Sequence, residues 1–276
     1  MSQIKFGQET YAWIMCGDKY IGKIDHMAKI SKEAGFAGME PMNLQMGDYY
    51  DPAKLKETMD ENGIELSSFA FVCDWLNPSE TDEEKKESER ALNLLSHFPD
   101  ALLMLVQMPQ SDRSNLEERQ KNLMLNINEI SKKFVDKGIK CSYHPNSPDG
   151  SVWRTAEDYK KLLPQLDTSV IQWTPDVGHI AKGGMDAIQL MKDYRSLINH
   201  VHYKDMNADG SWAVTGQGNI DFETITKDLA TSGYNGWIIC EDEVDTAIEN
   251  PDAVALEDGK YIQTVMQGWV DSVTGA

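Results

Sequence analysis

The sequence predicts an α/β fold, a (β/α)8 TIM barrel built as a single domain over residues 1–276. Three observations carry that expectation. Short apolar or alternating runs recur eight times with amphipathic helical stretches between them, the rhythm of repeated βα units around a parallel sheet. Four helical stretches stop at a glycine just before the next strand: Glu33-Ala34-Gly35-Phe36, Glu61-Asn62-Gly63-Ile64, Asp136-Lys137-Gly138-Ile139 and Thr231-Ser232-Gly233-Tyr234. The 276 residues, 41% hydrophobic, suffice for one large core, and no Pro/Ser-rich linker or low-complexity tract divides them.

Taken in order, the first strand is read at Ile4 to Gly7 and leads to a helix at Ile24 to Ala34. Ala37 to Glu40 precedes Pro52 to Asn62, Glu65 to Phe71 precedes Thr81 to His97, and Ala101 to Gln107 precedes the long amphipathic stretch Leu116 to Lys137. In the second half, Ile139 to His144 leads to Thr155 to Leu163, and Val170 to Thr174 to Met185 to Asp193. Ile198 to Tyr203 leads to Phe222 to Thr231, and Gly236 to Glu241 to a closing helix near Glu257 to Asp271. Each apolar run has the length of a barrel strand. The Gly-containing polar segment Asn207 to Asn219 is a candidate lid. A doubly wound dinucleotide fold is the rival, but it would carry G-x-G-x-x-G after the first strand, and none is there.

Charge narrows the partners. With 45 acidic against 26 basic residues the formal charge is −19, a field that repels phosphate backbones and anionic lipid, so neither nucleic acid nor a membrane is expected as a partner. The amino terminus lacks a basic flank and a long apolar run, and no stretch approaches the ~20 apolar residues of a membrane span. A soluble, cytoplasmic protein is the expectation, with oligomerisation left open. Cys16, Cys73, Cys141 and Cys240 are widely spaced without a CxxC pair, which points to reduced thiols.

In a barrel the active site lies at the carboxyl ends of the strands. The expected strands end at or lead to Glu40, Asp74, His144, Asp176, His200 with His202, and Glu241. His144, Asp176, His202 and Glu241 together supply two imidazoles and two carboxylates, a donor set suited to one divalent ion such as Mn²⁺, Co²⁺, Fe²⁺ or Zn²⁺. His200 and His202 point to the same side of their strand, one a layer deeper, and His200 is read as the packed neighbour that orients its partner. His179, three residues after Asp176, can reach a substrate hydroxyl or support the metal shell. Glu40 is a candidate substrate contact. Trp13, Trp75, Trp153 and Trp212 fall near expected mouth loops, where aromatic faces pack against sugar C–H faces.

Four strings carry a family likeness: Thr174-Pro175-Asp176-Val177-Gly178-His179, His200-Val201-His202-Tyr203-Lys204-Asp205, Gly216-Gln217-Gly218-Asn219-Ile220-Asp221-Phe222, and Gly233-Tyr234-Asn235-Gly236-Trp237 through Glu241. The chain resembles the xylose-isomerase-like barrels, whose members include sugar isomerases and epimerases, inosose dehydratase, 3-dehydroshikimate dehydratase, lyases of 3-keto glycosides and an endonuclease type. The resemblance implies ligands at the ends of strands five to eight, here His144, Asp176, His202 and Glu241. Ketose 3-epimerases of the superfamily carry a glutamate where His144 stands. The segment Ser142-Tyr143-His144-Pro145-Asn146 looks more like the histidine-bearing, inosose-dehydratase-like version, which turns the expectation away from two-glutamate epimerisation.

The expected chemistry is removal of a proton α to a carbonyl, with the metal offsetting the charge that develops on oxygen. Candidate acid/base groups are Glu241, His144, His179 and Lys204. Isomerisation, epimerisation and elimination of a β-hydroxyl or aglycone share that first step. The expected substrate is a small carbohydrate, a keto sugar, keto-inositol or keto-glycoside. It is unphosphorylated, because no arginine follows His202 and no glycine-rich phosphate cradle lies near strands seven and eight. A non-catalytic sugar-binding or partner subunit is the alternative from another class, disfavoured by the intact ligand quartet. A nuclease would need more histidines than the chain can place.

Overall fold

The computed structural model describes residues 4–275; residues 1–3 and 276, which fall within the expected domain bounds and the amino-terminal reading, lie outside the described residues. Eight parallel strands form the barrel wall: β1 (Ile4–Glu9), β2 (Gly38–Glu40), β3 in two pieces (Glu65–Leu66 and Ser68–Cys73), β4 (Leu102–Gln107), β5 (Cys141–Tyr143), β6 (Gln172–Trp173), β7 (Val201–Tyr203) and β8 (Gly236–Cys240). The ring closes where β1 pairs with β8 over Ile4↔Gly236 to Gln8↔Cys240. Single parallel bridges, Met42↔Ala70 and Trp173↔Ile198, complete the wall between β2 and β3 and between β6 and β7. The expected strands are all present, with β5, β6 and β7 shorter than the apolar runs suggested.

The helices follow from local signals. Besides the single turns Tyr11–Ile14 and Thr246–Glu249, they are α1 (Ile24–Ala34), α2 (Pro52–Asn62), α3 (Asp82–Leu95), α4 (Leu116–Val135), α5 (Ala156–Leu162), α6 (Val177–Lys182), α7 (Ala187–Asp193), α8 (Phe222–Thr231), α9 (Pro251–Tyr261) and α10 (Gln267–Thr274). Asp51 caps α2 just before its proline, and Thr81 with Glu84, and Thr155 with Asp158, form reciprocal capping boxes that start α3 and α5. The four glycine stops all lie in the left-handed region, at φ of 89°, 60°, 81° and 77° for Gly35, Gly63, Gly138 and Gly233. The closing helix expected near Glu257 is present and longer: α9 runs into α10 without a break through a wider, π-helical stretch, Ile262–Met266.

Strand alternation divides the core. One face of β3 and β4 presents Phe69, Phe71, Leu103 and Leu105 to the outer helices, where Leu94, Leu123 and Ile127 meet them. The opposite, inward face carries Ala70, Val72, Met104 and Val106, with Met42 beside them. Around the rest of the interior the inward positions turn polar, with Glu40, Ser68, His200 and His202 all fully buried. The barrel interior therefore has an apolar sector on β3 and β4 and a polar sector, including Glu40 of β2 and Ser68 of β3, that leads to the ends of β5 to β8. The four cysteines are free, and among the described residues no helix is long and apolar enough to cross a membrane.

Candidate metal centre and active site

The residues at the strand ends are placed by backbone first. His144 extends β5 by donating its N–H to Leu105 O at 2.9 Å. Asp176 follows β6, bridges to His202, and caps α6 by accepting the His179 N–H on Oδ1 at 2.7 Å. That helix lies close on β7: a Cβ on Gly178 would stand 2.5 Å from Lys204 O, so glycine is required there. His202 and Lys204, two apart, both face inward, and Glu241 follows the last residue of β8 with its N–H on Tyr203 O.

Three of the four expected ligands converge directly. His144 Nε2 lies 3.5 Å from Asp176 Oδ2 and 3.7 Å from Glu241 Oε2. Both ring nitrogens of His144 and Oδ2 of Asp176 are buried without a hydrogen-bond partner. Such orphaned atoms are costly unless something else satisfies them. His202 joins through Glu241, with Nδ1 2.9 Å from Glu241 Oε2, and its ring centroid is 4.7 Å from that of His144. By donor-atom proximity, His144, Asp176, His179 and Glu241 make one group, Glu9, His202 and Glu241 a second that shares Glu241, and Glu40, His200 and His202 a third that shares His202. Carboxylate and imidazole donors turned toward one another, with unpaired atoms between them, fit a divalent cation.

Two layers of support surround the group. Below it, Glu40 holds His200 Nε2 at 2.9 Å and accepts from Ser68 Oγ, while its other oxygen stands 3.0 Å from His202 Nε2 as an ion-pair contact outside good hydrogen-bond alignment. Burial would raise the Glu40 carboxyl, but His202 and His200 outweigh it and hold it well below the usual carboxylate range. Burial would likewise lower His202, yet Glu40 and Glu241 raise it to about 10. Beside the group, Lys204 is fully buried and donates to Glu241 Oε1 at 2.5 Å, Glu243 Oε1 at 2.5 Å and His179 Nε2 at 3.0 Å. These carboxylates overcome the burial cost and keep its ammonium well above the ordinary range. His179 must then accept at Nε2 and donate from Nδ1 to Ser147 Oγ, 2.7 Å away. Burial first and Lys204 second push it down to about 4, so it is neutral.

The expected aromatic contacts separate. Trp212 lies at the site, its ring edge-on to His179 at 5.5 Å and 5.2 Å below the Lys204 ammonium. Trp13, Trp75 and Trp153 are corrected to core residues, 0%, 0% and 1% exposed. Trp13 bonds Asp252, Trp75 packs on Phe71, and Trp153 stacks on Tyr143, since a large ring at a loop base gains more from burial than from waiting in solvent. Glu40 also lies deeper than a substrate contact requires, with 0% exposure, one oxygen hydrogen-bonded to His200 and Ser68 and the other facing His202.

The sequence reading missed Glu9, Tyr11 and Ser147. Glu9 closes β1 two residues beyond the expected strand end, 3% exposed, its Oε2 unpartnered and 3.8 Å from His202 Nδ1. Burial, Glu241 and Glu40 raise its carboxyl well above the normal value. An acid directly after an inward-facing run was the available signal. The candidate lid is a short hairpin, Asp205–Met206 with Trp212–Ala213, and buried Asp205 accepts the N–H groups of Met206, Gly216, Gly218 and Ile220. That single carboxylate fixes the loop carrying Trp212.

Comparison with known proteins identifies the family and the fold. The family description "Xylose isomerase-like TIM barrel" matches residues 28–265. An inosose dehydratase of Clostridium beijerinckii is 27% identical over 293 aligned positions, covering 95% of this chain and 97% of that protein. The solved apo structure of the 3-keto-D-glucoside 4-epimerase from E. coli superposes with a TM-score of 0.74 at 17% identity, covering 95% of this chain and 100% of the other. The IOLI protein with a bound zinc atom gives 0.75 at 14% identity, covering 98% and 99%. The chain belongs to the xylose isomerase-like TIM barrel family.

Proposed function

We propose that this member of the xylose isomerase-like barrels is a divalent-metal-dependent enzyme that removes a proton α to the carbonyl of an unphosphorylated keto sugar, keto-inositol or keto-glycoside. The observation that carries the reading is the set of orphaned buried atoms on His144 and Asp176, turned toward Glu241. His144, Asp176, His202 and Glu241 would hold the ion, and Mn²⁺ suits the mixed nitrogen and oxygen donors best, with Co²⁺, Fe²⁺ and Zn²⁺ as substitutes. A bound divalent ion supplies Lewis acidity toward the substrate carbonyl.

The chain's own residues supply the remainder. Glu241 is assigned as proton acceptor: its Oε2 faces His144 and His202, while Lys204 fixes its Oε1. Lys204 is assigned as proton donor, its ammonium steadied by Glu243 and by neutral His179, which Ser147 holds in one tautomer. Glu241 and Glu243 beside this ammonium make an acidic surrounding that disfavours a substrate phosphate and favours an uncharged polyol. Trp212 offers a ring beside the donor against which a sugar face can pack.

The second reading, dehydration, has its own support in His144 at the position where epimerases of the superfamily carry glutamate, and in the full-length likeness to inosose dehydratases. In it Glu241 takes the α proton, the C–C double bond forms as the β C–O bond breaks, and Lys204 protonates the departing hydroxyl to water. NMR in D₂O with Mn²⁺-loaded protein and a panel of ketoses, inosose and keto-glycosides tests both. Exchange of the α proton is expected, with loss of water or aglycone marking the elimination branch. A fully loaded protein that exchanges no proton in any of them refutes the proposal.

A further inference from the structure

β1 contributes an acid that the quartet on β5 to β8 does not use. Gln8 turns outward, where its Oε1 accepts the Ser31 hydroxyl of α1 at 3.0 Å, so strand alternation turns Glu9 into the barrel. Pairing then fixes its height. Glu9 stands opposite Glu40 of β2, and Gln8 opposite Cys240 of β8, which sets Glu40, Glu9 and Glu241 side by side on three adjacent strands.

Glu40 and Glu9 are engaged differently. Glu40 gives one oxygen to His200 and Ser68 and faces His202 Nε2 with the other at 3.0 Å. A carboxylate behind one ring nitrogen is the usual support for a histidine whose other nitrogen holds a metal. Glu9 lies toward that other nitrogen: its Oε2 is 3.8 Å from His202 Nδ1, which itself stands 2.9 Å from Glu241 Oε2. Donor atoms of Glu9, His202 and Glu241 all fall within 4.8 Å of one another. No hydrogen-bond donor reaches Glu9 Oε2, and among the described residues His202 is its one ion-pair contact. The Lys204 ammonium bonds Glu241 on its other oxygen, Oε1.

The spacing matches a single coordination sphere. Two donors each about 2.1 Å from one ion are about 3.0 Å apart at a right angle and about 4.2 Å apart when opposite. The 3.8 Å between Glu9 and His202 falls in that window, as do the 3.5 and 3.7 Å from His144 to Asp176 and Glu241. Glu9 Oε2 therefore shares both features of the bare atoms on His144 and Asp176, burial without a partner and donor spacing.

Resting on the metal centre read above, we propose that Glu9 is a further ligand to the same ion, so that β1 joins β5 to β8 and three carboxylates act with two imidazoles. Five protein donors exceed the four of a tetrahedral zinc site and favour Mn²⁺, for which six-coordination leaves one position to a substrate oxygen. Calorimetric titration of Mn²⁺ and Zn²⁺ into the chelator-stripped full chain, with the visible spectrum of the Co²⁺-loaded protein, tests it in wild type, Glu9→Ala and Glu9→Gln. Glu9→Ala is expected to weaken Mn²⁺ about a hundredfold and Zn²⁺ less than about tenfold, with the fold retained by circular dichroism. Its Co²⁺ form is expected to absorb more strongly than wild type, as a four-coordinate ion does beside a five- or six-coordinate one. Glu9→Gln keeps the side-chain volume and supplies the same readings if the alanine variant does not fold. Unchanged Mn²⁺ affinity in both variants would overturn the assignment. So would a fall in affinity with the Co²⁺ spectrum unchanged, or an equal fall for Mn²⁺ and Zn²⁺, the marks of a residue acting through His202 alone. Failure of the wild-type chain to bind any of the three ions would instead overturn the metal centre itself.

Discussion

Two buried carboxylates in this barrel, Asp158 and Asp176, are opposite in how completely they are satisfied. Asp158 accepts both ends of the Arg113 guanidinium at 2.9 Å, the Gln120 amide at 2.8 Å, and the Arg154 and Thr155 N–H groups with the Thr155 hydroxyl. Asp176 receives one N–H on Oδ1 and leaves Oδ2 buried and bare beside an equally bare His144. Asp158 is finished by the chain alone. Asp176 is left incomplete by the chain, and under the metal site proposed above the ion completes it, a difference that separates structural from functional polar groups without reference to the reaction.

The contrast breaks most sharply at Asp176. Asp176→Asn is expected to lower metal affinity and α-proton exchange by about a thousandfold while leaving the unfolding temperature of the metal-free chain unchanged or raised. Metal analysis and differential scanning calorimetry on one preparation read both, and a cooperative loss of stability without metal would put Asp176 among the structural acids. Asp158→Asn should do the reverse, costing about 3 kcal/mol, a fall of roughly 6–10 °C in Tm, with metal content unchanged.

Supporting groups should fall between these extremes. Glu40→Gln is expected to weaken metal affinity about 10–100-fold through His202, a loss that a chelator competition would resolve. The acid limb of stability sharpens the Asp158 side. Burial would raise that carboxyl, but Arg113 and the cap N–H groups outweigh it and hold it below its ordinary value. A depressed folded value gives stability that is present above about pH 4 and lost as pH falls through the folded value. Wild type should therefore show that loss in an acid titration and Asp158→Asn should lack this component. The smallest effect belongs to the exposed Lys5–Glu65 pair at 2.7 Å, where Lys5→Ala should stay within about 0.5 kcal/mol of wild type.

Much of this was legible in the sequence because periodicity and punctuation are local. α1, α2 and α8 fall at the residues that the apolar pattern marks, and the glycine stops adopt the backbone that only glycine takes cheaply. The strand-end acids and histidines were legible for the same reason, since a barrel places strand ends on one rim. Depth was not. Glu40 read as an acid closing a strand and Glu9, two residues past the expected end of the first strand, was not read at all; only the packed barrel shows Glu40 braced beneath His202 and Glu9 beside it with a free oxygen. Trp13, Trp75 and Trp153 failed similarly, because a loop position does not say whether a ring turns inward. Ser147 and Glu243 matter only through Lys204 and His179, contacts set by three-dimensional packing across 32 and 39 residues of sequence.

The most direct measurement is calorimetric titration of Mn²⁺ into chelator-stripped protein, repeated for His144→Ala, His202→Ala and Glu241→Ala. One ion per wild-type chain is expected, with binding lost or weakened at least about a hundredfold in each variant while the fold is retained by circular dichroism. No saturable binding to the folded wild-type chain, or full-affinity binding that survives all three substitutions, would contradict the metal centre.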